Sequence, residues 1–140
     1  MPFLLDTSTC SQHLKSGDDT PILPRMVQYS GQLYVSRLTV AELYAFAFRG
    51  SAKRVYEFDQ FLNDMNILEF TDACAREYGK LHAFLADRGI RIGAIDLMLA
   101  TTAVINEMVL VTHDRDFDPL KGVVSGLDIH DWLPAAPGSP

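Results

Sequence analysis

The sequence predicts a three-layer α/β/α domain with a mainly parallel central sheet flanked by helices, and two observations carry that prediction. Short apolar runs, Phe3-Leu4-Leu5, Leu33-Tyr34-Val35 and Met108-Val109-Leu110-Val111, alternate with segments whose apolar residues recur at helical spacing. The last of these runs is apolar at every position, as expected of a strand buried on both faces. Such alternation implies βαβ units with right-handed crossovers. A chain of 140 residues holds one domain and one sizeable core. We expect that domain over residues 1–133 and a flexible tail over 134–140.

Phe3-Leu4-Leu5 is cut off by Asp6-Thr7-Ser8, whose oxygens suit the start of a helix. Between Thr9 and Ser30, Gly17-Asp18-Asp19 reads as a turn, and Pro21 and Pro24 favour two short helices over one. Leu33-Tyr34-Val35 is closed by Ser36, and Leu38, Leu43, Phe46 and Ala47 then mark a helical stripe that Gly50 ends. Val55, Phe58, Phe61, Leu62 and Met65 predict the next helix, followed by a brief strand at Ile67-Leu68-Glu69-Phe70. Thr71-Asp72 open a long helix that Gly89 closes. Ala94 to Asn106 predicts another helix, Met108 to Val111 a buried strand, and Leu127-Asp128-Ile129 a final weaker one.

With 48% hydrophobic and 21% charged residues, a disordered, collagen-like or coiled-coil chain is excluded. Twelve Lys plus Arg against eighteen Asp plus Glu leave a net charge of −6. Affinity for nucleic acid therefore requires a local basic surface rather than bulk charge. Lys15, Arg37, Arg49, Lys53, Arg54, Arg91 and Arg115 are the candidates, solvated surface being the expectation for most of them. Cys10 and Cys74 are far apart and lack CxxC spacing, so we expect reduced thiols packed as small apolar groups. No HxxxH or HxE pair involves His13, His82, His113 or His130, which argues against zinc. No signal-like segment and no membrane-length apolar run is visible, so the expected location is cytoplasmic.

The chemistry lies in where the carboxylates fall. Asp6 follows the first strand, Glu42 lies in the first turn of the helix after the second, and Asp114 follows the buried strand. Asp96 lies in the first turn of the helix that runs into that strand. In a parallel α/β sheet, strand C-termini and helix N-termini share one edge, so all four acids should face one crevice. Crowded carboxylates raise one another's pKa unless a cation or protons relieve them. Hard oxygen ligands select Mg²⁺ or Mn²⁺, which can activate water and clamp the oxygens of a phosphoryl displacement. Each acid also has a purely structural reading: Thr39-Val40-Ala41-Glu42 fits a capping box, Asp96 suits a helix dipole, Asp6 can cap a helix, and Asp114 and Asp116 can be turn residues.

Four motifs in order resemble the PIN-domain ribonucleases, most closely the VapC toxins of bacterial toxin–antitoxin pairs. They are Leu4-Leu5-Asp6-Thr7-Ser8; Val35 to Leu43, ending in Thr39-Val40-Ala41-Glu42-Leu43; Arg91 to Ala100 around Asp96; and Val111-Thr112-His113-Asp114 with Asp116-Phe117. Gly126 to Trp132 is similar to the family's last strand. The resemblance implies a PIN-like fold and an RNA endonuclease that holds one or two Mg²⁺ or Mn²⁺ ions on Asp6, Glu42, Asp96 and Asp114, these four being the catalytic residues. Asp116 competes with Asp114 for the fourth place. Ser8 and Thr112 are implied as supports of the site in reach of substrate; Arg37 and Arg115, close in sequence to the strand ends that carry the acids, are the expected phosphate contacts. The same resemblance implies a homodimer and a small antitoxin that blocks the site. The apolar helix around Tyr44, Phe46 and Phe48 either serves such a contact or belongs to the core, the latter being the expectation. A receiver-like Mg²⁺-binding phosphoacceptor is the rival reading, although Asp6 stands alone where a receiver has paired acids.

Overall fold

The computed structural model describes residues 2–16 and 19–134. Its order is β1 (Phe3–Leu5), α1 (Thr7–Ser16), α2 (Leu23–Gln28), β2 (Leu33–Ser36), α3 (Arg37–Ala47), α4 (Ala52–Asn63), β3 (Asn66–Leu68), α5 (Asp72–Asp87), α6 (Ala94–Ile105), β4 (Val109–Val111), a 3-10 turn (Arg115–Leu120) and β5 (Asp128–His130). Two helices do fill the stretch before β2; the Gly17-Asp18 part of the expected turn lies outside the described residues. So does the expected tail, apart from Pro134.

The five strands form one sheet in the order β3-β2-β1-β4-β5, and every pairing is parallel. Strand side chains alternate between two cores, as the two-residue period demands. Phe3 and Leu5 join Val35, Val109 and Val111 in a core with Leu43, Phe58 and Leu62 from α3 and α4. Leu4 and Leu110 face the opposite core with Leu85, Leu97 and Phe117. Thus α1 to α4 cover one face and α5 with α6 the other. This explains why Met108 to Val111 is apolar throughout: every one of these residues is buried. Buried Cys10 and Cys74 are free thiols.

The N-terminus of α3 differs from the sequence expectation. Ser36 has extended backbone and accepts the Leu38 amide proton at 3.1 Å, so it caps the helix. Helix α3 therefore begins at Arg37, Thr39 lies inside it, and Glu42 falls in its second turn rather than its first. The capping box from Thr39 to Glu42 does not form. Thr39 is fully buried, and its Oγ1 has no hydrogen-bond partner among the described residues. We expect Thr39→Val to stabilise the protein by about 1 kcal/mol, because it removes a buried unsatisfied hydroxyl at nearly constant volume. Urea denaturation checks this: a loss of about 1 kcal/mol would mean that Thr39 caps the helix after all.

At the other end of α3, Phe46 and Phe48 are exposed, at 49% and 71% of their surface, so the core reading of these two is wrong. The stripe that packs is Thr39, Val40, Leu43 and Ala47. Tyr44 is half-buried, and its hydroxyl donates to Asp59 on α4. Helix α5 ends as Gly89 predicts. The Gly89 amide bonds the Ala86 carbonyl and the Ile90 amide the Leu85 carbonyl, both at 3.0 Å, with Gly89 at φ +68°. That closure requires a left-handed residue.

Candidate active site

The parallel sheet changes winding direction between β1 and β4, since the chain leaves β1 toward β2 on one side and places β4 on the other. Crevices at the C-terminal edge of such a switch point are where α/β folds bind ligands. Asp6 emerges there directly from β1, its amide bonded to the Val111 carbonyl of β4 at 3.0 Å. Asp114 follows β4 at the same edge. Asp96, in the first turn of α6, is brought alongside.

Asp6 is 3% exposed and completely partnered. Its Oδ1 accepts from Ser8 Oγ at 2.8 Å and the Thr9 amide at 2.9 Å, and its Oδ2 from Thr112 Oγ1 at 2.5 Å. The Thr9 contact makes Asp6 the cap of α1 as well, so the structural reading of this acid also holds. Burial raises its pKa above the ordinary carboxylate range, and the bonds from Thr112, Thr9 and Ser8 oppose that rise. Thr112 Oγ1 in turn accepts the Asp114 amide proton at 2.9 Å. Ser8 Oγ accepts that of His113 at 3.1 Å. Ser8 and Thr112 thus use their hydroxyls to fix Asp6 and the chain after β4.

Asp96, Asp114 and Asp116 each offer a carboxylate oxygen within 4.8 Å of the others'. The sequence set Asp114 against Asp116, yet both reach Asp96. Asp114 Oδ1 accepts the Asp116 amide proton at 2.9 Å and opens the 3-10 turn, which puts the two carboxylates on one side. The Asp-x-Asp spacing at a turn start is the signal that would have paired them. Asp96 has its pKa raised to about 6, first by burial and then by the charges of Asp114, Asp116, Asp6 and Glu42. Glu42 is exposed on α3 and accepts from Thr7 Oγ1 at 2.6 Å, one residue beyond Asp6. Thr7 was not singled out from the sequence.

The arginines are less engaged with this cluster. Arg37 is bound to Glu69, with Nε at 2.9 Å from Oε1, and Arg115 Nε lies 3.4 Å from Asp118. Lys53 faces Glu57. Among the histidines, His113 bonds Asp131 and His130 bonds Asp128. Among the described residues no histidine or cysteine joins the acidic group, in keeping with a hard-cation site. Carboxylate oxygens gathered within 4.8 Å of one another are the hard donors that Mg²⁺ or Mn²⁺ takes.

The strand order also decides against a receiver, whose sheet runs 2-1-3-4-5 instead of the 3-2-1-4-5 seen here.

Comparison with known proteins agrees with this geometry. Residues 3–123 match the PIN domain family. The chain is 30% identical over 136 residues to ribonuclease VapC2 of Haemophilus influenzae, covering 95% of this chain and 99% of that one. It is 27% identical over 135 residues to the tRNA(fMet)-specific endonuclease VapC of Salmonella typhimurium, covering 94% and 98%. The crystal structure of DNA-bound VapBC from Salmonella typhimurium superposes with a TM-score of 0.84 at 26% identity, over 95% of this chain and 99% of that one. By fold, by motif order and by these matches, the chain belongs to the PIN-domain family and, within it, to the VapC ribonucleases.

Proposed function

We propose that the chain is a metal-dependent RNA endonuclease, the toxin of a toxin–antitoxin pair, which hydrolyses phosphodiester bonds in a structured RNA such as tRNA. The observation that carries this reading is the gathering of carboxylates from four separate segments at the β1/β4 switch point. Asp6, Glu42, Asp96 and Asp114 are the residues that would hold one or two Mg²⁺ or Mn²⁺ ions, and Asp116 is placed to join them. When bound there, a divalent cation supplies Lewis-acid polarisation of a phosphoryl oxygen and lowers the pKa of water.

The chain's own contribution is preorganisation. Asp6 is locked by Ser8, Thr9 and Thr112 before substrate arrives, so little reorientation remains when charge develops. Asp96 retains a proton up to about pH 6 because burial, and then the charges of its neighbours, disfavour its anion. A polyanion is repelled by the same cluster, so RNA must meet balancing cations at its margin.

The VapC likeness supports a small antitoxin as protein partner, and we place it with a homodimer in the cytoplasm. Exposed Phe46 and Phe48 offer the apolar surface that such contacts use. No helix among the described residues is long and apolar enough to cross a membrane.

The test is incubation of the purified chain, free of any partner, with total RNA and Mn²⁺, followed by mapping of the fragments. Discrete cleavage in Mn²⁺ and none in EDTA is expected. Intact RNA in both would sink the nuclease reading, and equal cleavage in EDTA would sink the metal.

A further inference from the structure

Beside the carboxylate cluster, on its β5 side, lies a cavity of about 580 Å³ that shares Thr112 and Asp114 with the cluster. That volume is ordinary for a site taking one small ligand, about 300–1,000 Å³. Three kinds of chemistry line it.

Arg115 and Lys121 stand on its rim and share a single carboxylate. Arg115 Nε is 3.4 Å and Lys121 Nζ 3.0 Å from Asp118. Two cations share this one anion, whereas of the cavity's other two acids Asp114 belongs to the carboxylate cluster and Asp131 is paired with His113. Both side chains are more than half exposed, so an incoming phosphate can reach them.

His113 supplies the second. Its Nδ1 lies 2.9 Å from Asp131 Oδ2, and Asp131 Oδ1 accepts the Leu133 amide proton at 2.9 Å, which pins the carboxylate. A carboxylate only accepts, so the ring proton sits on Nδ1 and Nε2 remains for another partner. The His113 backbone is tied to Ser8, which holds Asp6. The ring is therefore held in register with the acids. Ile129, Leu133 and Pro134 complete the lining with apolar surface.

A phosphate rim, a fixed hydrogen-bonding ring and an apolar wall are together the complement of a nucleotide in an unpaired strand. We propose that this cavity is a subsite for the nucleotide adjoining the scissile phosphate of an RNA strand. Arg115 and Lys121 bind its phosphate, His113 positioned by Asp131 meets the base edge, and the apolar wall takes the base face. The subsite rests on the nuclease reading above and names how that site holds its substrate.

The test uses a short fluorescein-labelled single-stranded RNA of mixed sequence, bound in EDTA and followed by anisotropy, beside steady-state cleavage of the same RNA in Mn²⁺. Joint Arg115→Ala and Lys121→Ala should weaken binding about tenfold and flatten the slope of log affinity against log salt by about 0.7 for each phosphate that is no longer neutralised. His113→Ala should raise KM about fivefold with kcat within about twofold, the pattern of lost uniform binding. Asp118→Asn releases the two cations and should tighten binding about twofold, a gain that misfolding cannot produce. Unchanged affinity, slope and KM in the double variant and His113→Ala would overturn the subsite, as would weaker binding in every variant including Asp118→Asn. Should the unsubstituted chain cut no RNA, the nuclease reading falls; should it cut while the variants keep its affinity and KM, the subsite alone falls.

Discussion

Asp96→Asn is expected to lower RNA cleavage about 10³-fold while making the metal-free protein more stable. The two effects have one cause. Burial, and then the charges of four other carboxylates around it, hold the Asp96 pKa at about 6 against an ordinary 3.8. As pH rises from about 4 to about 6 the unfolded chain releases this proton and the folded chain keeps it. The folded state then binds more protons, so stability falls across that window and stays at the lower value above it. The shift is worth at most about 3 kcal/mol at about 1.36 per unit, and partial exposure of the cluster screens this to about 1–2. Asparagine keeps the shape without the charge, so metal-free Asp96→Asn should melt about 3–8 °C higher at pH 7.5 and no higher near pH 4. Calorimetry across pH checks this, and an equal gain at pH 4 would trace it to packing. Divalent cation reverses the order. At about 100 times Kd a bound ion stabilises by about 2.7 kcal/mol, so Mg²⁺ or Mn²⁺ should raise the melting temperature of the unsubstituted chain and barely move that of Asp96→Asn. Loss of cleavage with a gain in metal-free stability marks a group held for chemistry at the expense of the fold.

What the sequence revealed follows from which forces are local. The continuous burial of Met108 to Val111, the Schellman closure at Gly89 and the place of Asp6 and Asp96 at element ends all depend on neighbours in the chain, and all were legible. The start of α3 was not, because Ser36 and Thr39 are both competent caps and only the reach of β2, which extends to Ser36, selects the first. Phe46 was misplaced for a related reason. Helix α3 is apolar on most sides, so its period does not identify the packed face; the packing of α4 does, and it leaves Phe46 outside with the Arg54 guanidinium 4.4 Å from its ring centre. The edge strands shift by a residue or two because partners set their register, Val35 opposite Ile67 and Leu110 opposite Ile129. Glu69, expected in β3, lies beyond it and binds Arg37. At the site, the identities of the acids were visible while their mutual distances were not. Asp114 and Asp116 looked like alternatives until the 3-10 turn placed both beside Asp96. The Asp118 bridge between Arg115 and Lys121 had no sequence signature, since short-range ion pairs of exposed residues depend on side-chain conformation.

Thr112→Val should cost about 1–3 kcal/mol of stability and reduce cleavage about 10- to 100-fold, although Thr112 itself is not asked to perform chemistry. Its hydroxyl is a two-way coupling: the proton goes to Asp6 and the lone pair receives the Asp114 amide. Valine fills the same space and breaks both hydrogen bonds at once. Asp6 is then left in a 3%-exposed position with one of its oxygens short of a donor, and an under-satisfied buried carboxylate is costly. The turn carrying Asp114 and Asp116 loses one of its two ties to Asp6 in the same step, the Ser8–His113 bond remaining, so the spacing of oxygens around Asp96 loosens. A positioning role of this kind predicts weaker metal affinity as well as a lower kcat, read by the concentration of Mn²⁺ giving half-maximal cleavage. Thr112→Ser retains the hydroxyl and should restore most of both. If Thr112→Val destabilises the protein yet leaves the Mn²⁺ requirement unaltered, the hydroxyl serves folding alone. If serine fails to rescue, the methyl group, packed in the interior, is what matters. The expected rescue by serine separates the hydrogen bonds from the packing, and it would tie the geometry of the acidic cluster to the Thr112 hydroxyl that joins Asp6 to the Asp114 amide.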